Sequence, residues 1–358
     1  MLPFLDKVAR FFRRGPQVTF EGQEPGGPHR GSVDLIVILD GTLSSLEEGE
    51  VSNAGFAFKL LSERVPGLRR KIYYEPGLQW EHWRKATDIA FGRGINRQIR
   101  RAYGWLASNY RPGDRIFLMG YSRGAYAVRS LGGVIDRIGL LRSDVATERN
   151  VVMAYRHYQT QPESEVAQAF SKANCHAGVG IEMVGVWDTV KALGLRVPLL
   201  WLFTEDAHAF HNHQLGPHIR HGFQALALNE TRAAFDPVLW ECPPGWTGHV
   251  EQVWFRGAHA DIGGQIGSFQ VARPLANIPF VWMMEKAQVC GLVLPEGWRE
   301  RFPCDPSAPM VGTWQRWGKF FLMRHRRRVL RDPSESLHPT VPQQETRRWK
   351  GAMVARTE

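Results

Sequence analysis

Residues 114–133, DRIFLMGYSRGAYAVRSLGG, pass from an apolar run through a glycine-flanked serine into a helical pattern. RIFLM (115–119) predicts a buried strand, and Ala125, Val128, Leu131 and Ile135 recur at the spacing of one helix face. The two periodicities are joined by only a few residues. So tight a strand-to-helix turn needs positions without side chains on either side of Ser122, and Gly120 and Gly124 supply them. Such a join commits this part of the chain to a sheet with a helix laid back across it.

The remaining segments extend that pattern. VDLIVILD (33–40) is continuously apolar, as a strand buried on both faces should be, and KIYYE (71–75), IEMVGVW (181–187) and HVEQVWF (249–255) predict further strands. Helical periodicity appears over 94–110, within 144–173 and over 274–292. Strands alternating with helices predict the α/β class: a mainly parallel sheet with helices on both faces and helical insertions, in one domain over 33–341. Ahead of it, residues 1–32 read as a short amphipathic helix followed by a Gly/Pro-rich linker over 15–32. Behind it, residues 342–358 read as a basic tail.

The net charge of +10 is concentrated at the ends, in Lys7, Arg10, Arg13 and Arg14, in RHRRRVLR (324–331) and in RRWK (347–350). These clusters are either solvated tails or a peripheral contact with an anionic membrane, which is favoured over nucleic acid. No apolar run approaches the roughly 18 residues of a membrane span, and no apolar core of a secretory signal follows the N-terminal arginines. The four cysteines have no CxxC spacing and read as free thiols of a reducing, cytoplasmic compartment.

The glycine-flanked serine has the form G-x-S-x-G. At the end of a strand, Ser122 is a candidate nucleophile, and the N–H of Arg123 at the following helix start is a candidate oxyanion donor. A serine hydroxyl needs a base and an acid to orient that base. His259 and Asp261 lie in a Gly-rich loop after the strand at 249–255, and Asp188 ends the strand at 181–187. The expected relay is Ser122, His259, Asp188, with Asp261 either a rival acid or a brace of the His loop. LDGTL (39–43) ends the first strand. There the N–H of Gly41 or Thr42 is the candidate second oxyanion donor, and Asp40 shapes the turn. Neither a cofactor nor a metal is required. The histidine-dense stretch over 208–221 fits no standard zinc spacing and reads as a polar loop. The apolar KALGLRVPLLWLF (191–203), just after Asp188, reads either as core or as a lid or acyl-pocket wall.

Taken together, ILDGT, the block from Gly94 to Ile135, GVWDTV, QALALNETRAAFDPVLW, QVWFRGAHADIGG and SLHPTV resemble the α/β-hydrolase-like family long catalogued as a domain of unknown function. That family includes the first class of type VI secretion lipase effectors, which are phospholipases. The resemblance spans roughly 33–341 and implies an α/β-hydrolase fold, a lipid ester as substrate, and a triad on Ser122, Asp188 and His259. Two other readings remain open from the residues themselves. One is a metal-dependent phosphoesterase holding a hard cation on Asp40, Asp188, His259 and Asp261. The other is a non-catalytic membrane- or nucleic-acid-binding module on the same fold.

Overall fold

The uninterrupted apolar run that ends at Asp40 forms the strand Asp34–Leu39 (β2), buried along its whole length and central to the topology. In the computed structural model, residues 17–21, 31–42, 44, 46–47, 49–77, 93–190, 215–242, 248–314, 321 and 323–343 are described. Besides β2, the strands are Gln17–Glu21 (β1), Arg70–Glu75 (β3), Arg115–Tyr121 (β4), Met183–Trp187 (β5), His221–Ala227 (β6), His249–Phe255 (β7) and Glu335–Leu337 (β8). They form one sheet of eight strands in the order β1-β3-β2-β4-β5-β6-β7-β8. Every pair is parallel except β1 with β3.

Alternate residues of β2 serve two cores, as a strand covered on both faces requires. Leu35, Val37 and Leu39 point to one layer of helices: Arg93–Asn109 (α2), Arg123–Arg137 (α3), Glu148–Thr160 (α4) and Glu165–Asn174 (α5). Ile36 and Ile38 point to the other, built from Asn53–Leu61 (α1) and Arg273–Val289 (α7). A five-residue helix, His259–Gly263 (α6), follows β7. The architecture is that of an α/β-hydrolase-like fold, as the strand and helix periodicities anticipate.

The chain builds from β2 toward β3 on one side and then crosses to β4 on the other, so the strand order reverses between β2 and β4. In open parallel sheets the crevice for a ligand lies outside the carboxyl ends of the strands at such a reversal. Asp40, which ends β2, and Ser122, which ends β4, stand at that edge, beside Asp188 at the end of β5.

The stretch read as a linker over 15–32 is interrupted by β1, which adds antiparallel to the free edge of β3. The segment QVTFE lacks Gly and Pro and carries Val18, Thr19 and Phe20, residue types that suit a pleated strand. The amphipathic stretch over 2–14, the apolar stretch over 191–203 and the tail from 344 onward lie outside the described residues. Among the described residues no helix is long and apolar enough to cross a membrane.

Candidate active site

The turn at Ser122 is as tight as its sequence demands. Ser122 has φ 58° and ψ −119°, a conformation that L-residues rarely adopt. Its N–H donates to the Trp187 carbonyl at 3.0 Å, which ties the turn to β5. A Cβ on Gly120 would stand 2.7 Å from the Gly124 carbonyl oxygen, and one on Gly124 would stand 2.1 Å from the Leu39 carbonyl oxygen. Backbone thus closes in on both sides of the serine, and only glycine fits there. Strain of this kind, about 1–3 kcal/mol, persists where surrounding structure over-determines the backbone.

His259 begins α6 and turns its ring toward Ser122. Its Nε2 lies 2.8 Å from Ser122 Oγ and its Nδ1 lies 2.6 Å from Asp188 Oδ2. All three side chains are buried. The His259 ring sits between Tyr121 and Phe235, with ring centroids 5.0 Å and 4.9 Å away. Its backbone N–H donates to Glu230 Oε2 at 3.2 Å, and Glu230 in turn is paired with Arg232. An ionised Asp188 selects the tautomer in which Nδ1–H donates to the carboxylate, leaving Nε2 to accept from the serine hydroxyl.

Asp188 also departs from the ordinary backbone, with φ 43°. Burial alone would raise the pKa of its carboxyl. The Arg327 guanidinium and the His259 hydrogen bond outweigh burial and hold it well below the usual carboxylate range. The N–H of Ala227 adds a further bond to Oδ1 at 2.9 Å.

Asp261 does not face the imidazole nitrogens as a second acid. Its carboxylate accepts from the N–H groups of Ala258 at 2.8 Å, Val311 at 2.7 Å and Gly312 at 3.4 Å. That is a brace for the loop that presents His259. Accordingly, Asp261→Asn, which keeps one acceptor oxygen, should retain kcat/KM on a soluble ester within about tenfold of wild type. With Asp188 as the orienting acid of a serine relay, Asp188→Asn should lose roughly 10⁴-fold. Equal losses in the two variants would make Asp261 part of the relay.

Asp40 closes the β2 turn rather than opening a ligand site. It accepts from Ser52 Oγ at 2.7 Å, from the Tyr74 hydroxyl at 2.7 Å and from the N–H of Gly41 at 2.6 Å. Burial pushes its carboxyl pKa up despite these bonds. Gly41 therefore spends its N–H on Asp40. Of the two donors expected from this turn, the N–H of Thr42 is the one that meets no acceptor among the described residues. On the other side of Ser122, Arg123 opens α3. Its guanidinium is lowered to about 10 by burial and stays cationic at neutral pH.

The four residues considered for a hard cation do not assemble into a site for one. The carboxylates of Asp40, Asp188 and Asp261 are each saturated by separate sets of donors. Among the described residues no three His, Cys, Asp or Glu side chains gather as metal ligands. Of the histidine-dense stretch, His208, His211 and His213 lie outside the described residues. His218 pairs with Asp136 at 2.9 Å, and His221 Nδ1 bonds the Glu182 carbonyl at 2.9 Å, both remote from Ser122 in chain and contacts.

The site contains a group that sequence patterning misses. Arg327 lies in the basic run 324–331, read as a surface cluster, yet it is almost wholly buried. Its Nη1 donates to Asp188 Oδ1 at 2.5 Å and its Nη2 to Asp188 Oδ2 at 2.9 Å. Arg324 of the same run is also engaged internally, with Thr231 and Thr313 and over the Trp314 ring. Arg326, Arg328 and Arg331 are exposed, as a surface cluster would be. Neither hydropathy nor charge separates these roles, because the carboxylate that pairs with Arg327 is distant in the chain.

The model of the family described as T6SS, Phospholipase effector Tle1-like, catalytic domain, matches residues 34–286, the segment that carries Ser122, Asp188 and His259. The chain belongs to that family. The uncharacterized protein YEL023C of Saccharomyces cerevisiae is 27% identical over 246 residues, which cover 62% of this chain and 34% of that relative. The chain thus spans about a third of the yeast protein's length. Two solved structures are similar at greater distance. An uncharacterized protein from Pseudomonas aeruginosa has a TM-score of 0.43 at 16% identity, over 76% of this chain and 49% of that one. The Tle1 effector bound to the VgrG spike of the type 6 secretion system has a TM-score of 0.39 at 20% identity, over 69% and 53% of the two chains. Within the Tle1-like chain, the matched segment ends well before Arg327.

Proposed function

We propose that this Tle1-like chain is a serine esterase that cleaves a carboxylic ester of a lipid through Ser122, His259 and Asp188. The observation that carries the reading is the unbroken relay of 2.8 Å and 2.6 Å from Ser122 Oγ through the imidazole to Asp188. In the reaction, Ser122 Oγ attacks the acyl carbonyl while His259 Nε2 takes the hydroxyl proton. Asp188 holds the Nδ1–H tautomer and stabilises the imidazolium. The N–H groups of Arg123 and Thr42 donate to the oxyanion of the tetrahedral intermediate. Collapse of that intermediate breaks the ester C–O bond, and His259 gives its proton to the departing alcohol. A water molecule, activated by the same imidazole, then releases the acyl group and regenerates the serine.

Family membership supports a phospholipid as the physiological ester. Contact with an anionic membrane through the basic ends belongs to the same proposal, with Arg326, Arg328 and Arg331 as the described exposed cations. A fluorophosphonate probe tests the reading directly, because only an activated serine attacks it. The expected result is one covalent adduct, on the peptide containing Ser122, unaffected by chelator. Absence of labelling in a protein that hydrolyses phospholipid would overturn the mechanism, and chelator-sensitive hydrolysis would direct attention to a metal.

A further inference from the structure

Arg327 is delivered to the site by a well-anchored segment. Upstream, Arg324 donates to Thr231 and Thr313. Downstream, the Glu335 carboxylate gathers the N–H groups of Leu330, Arg331 and Asp332 and the indole N–H of Trp254, while β8 pairs with β7. Between these anchors the Arg327 guanidinium enters the interior. It donates to both oxygens of Asp188 and to the carbonyls of Ala227 and Phe235. A planar fork of this kind fixes a carboxylate in rotation as well as in position.

We infer that Arg327, supplied from outside the family-matched segment, is a positioning residue of the active site: its two-pronged bond holds Asp188 so that Oδ2 faces His259 Nδ1. The inference rests on the serine-esterase reading above. Arg327 and the Ala227 N–H engage Oδ1, which fixes the carboxylate's rotation with Oδ2 toward the imidazole. The guanidinium also supplies the positive charge that lets a buried carboxylate stay ionised. The other ionisable groups around this centre are Glu230, paired with Arg232, and Tyr121, whose hydroxyl donates to the His259 carbonyl at 3.3 Å. None of them donates to Asp188. Burial is already the largest single influence on Asp188; without Arg327 it loses its largest opponent, and the carboxylate takes up a proton at a pH where the wild type keeps it charged.

The test is kinetic and uses the full chain with a soluble short-chain ester. Arg327→Met should lower kcat by about 10²-fold with KM little changed, since a displaced orienting group slows chemistry without removing substrate contacts. The acid limb of its kcat/KM profile should move to higher pH. Arg327→Lys keeps the charge but not the fork, so it should return the acid limb toward the wild-type position while kcat stays reduced. Arg327→Met in an Asp188→Asn background should add less than about threefold, because no carboxylate remains to be held. That neutral pair also gives a comparison free of the uncompensated buried charge if Arg327→Met alone, with Asp188 deprived of its guanidinium, fails to fold.

A purely structural arginine would cost the same in both backgrounds and leave the acid limb in place, and that result overturns the inference. The serine-esterase reading fails separately, through wild-type hydrolysis by Ser122→Ala. A dead Ser122→Ala beside an Arg327→Met with wild-type kcat and acid limb would sink only the role given to Arg327.

Discussion

Ser122→Ala should hydrolyse esters roughly 10⁴- to 10⁶-fold more slowly than wild type, with its fold intact. Losing the nucleophile removes the acyl-enzyme route altogether, and what remains in such sites comes from oxyanion donors and binding. The more telling comparison is with Ser122→Gly. At φ 58° and ψ −119° a Cβ is strained, and glycine adopts such backbone without that penalty. Ser122→Gly should therefore melt at a higher temperature than Ser122→Ala while being equally inactive. Thermal melts with ester assays on the two variants check both halves. A Ser122→Ala that retains wild-type activity would remove serine catalysis. A Ser122→Gly no more stable than Ser122→Ala would show that the turn stores no strain for its serine.

Much of the sheet was legible from its apolar runs, but β6 (His221–Ala227), which lies between β5 and β7, was not read as a strand, and its first residue fell in the stretch read as a polar loop. VDLIVILD and HVEQVWF correspond closely to β2 and β7, and the helical spacing after Ser122 corresponds to α3. The residues of the relay were legible through position: Ser122, Asp188 and His259 each follow a strand, and parallel strands bring their carboxyl ends to one edge. The structure brings the three side chains into hydrogen-bond contact, and their roles are part of the proposal.

What escaped the sequence depended on pairings between distant residues. The short β8, with three residues, carries too little periodicity to be seen, and β1 hides between Gly/Pro-rich neighbours. Glu230 looks like an ordinary loop carboxylate until its bonds to Arg232 and to the His259 N–H are known. Gly41 was a fair oxyanion candidate by chain position. No pattern reveals that Asp40, its own neighbour, takes its N–H. Arg327 was concealed by its company, since its exposed neighbours Arg326 and Arg328 give the run the signature of a surface cluster.

Gly124→Ala should be among the most damaging single-methyl changes in the chain. The added Cβ would stand 2.1 Å from the Leu39 carbonyl oxygen and 2.5 Å from that of Asp40. Both are backbone atoms at the end of β2, and Leu39 is in register with Gly120 of β4, so neither can swing aside as a side-chain tip would. Relief requires α3 to lift from β2. Overpacking in a well-filled interior typically costs about 1–3 kcal/mol, and an immobile neighbour puts this site at or above the upper end. The same lift carries Ser122 away from His259 Nε2. Because a misplacement of about 1 Å can cost on the order of 10²-fold in rate, the folded fraction should also lose activity. Gly104→Ala in α2 is the control: its Cβ would find Val151 at 3.6 Å, an ordinary contact, and alanine favours a helix interior over glycine by about 1 kcal/mol. That variant should be as stable as wild type or more so, and fully active. Thermal melts and ester kinetics on the pair decide the matter. If Gly124→Ala matched Gly104→Ala in both, the close approach of α3 to the end of β2 would not be what holds Ser122 in its turn.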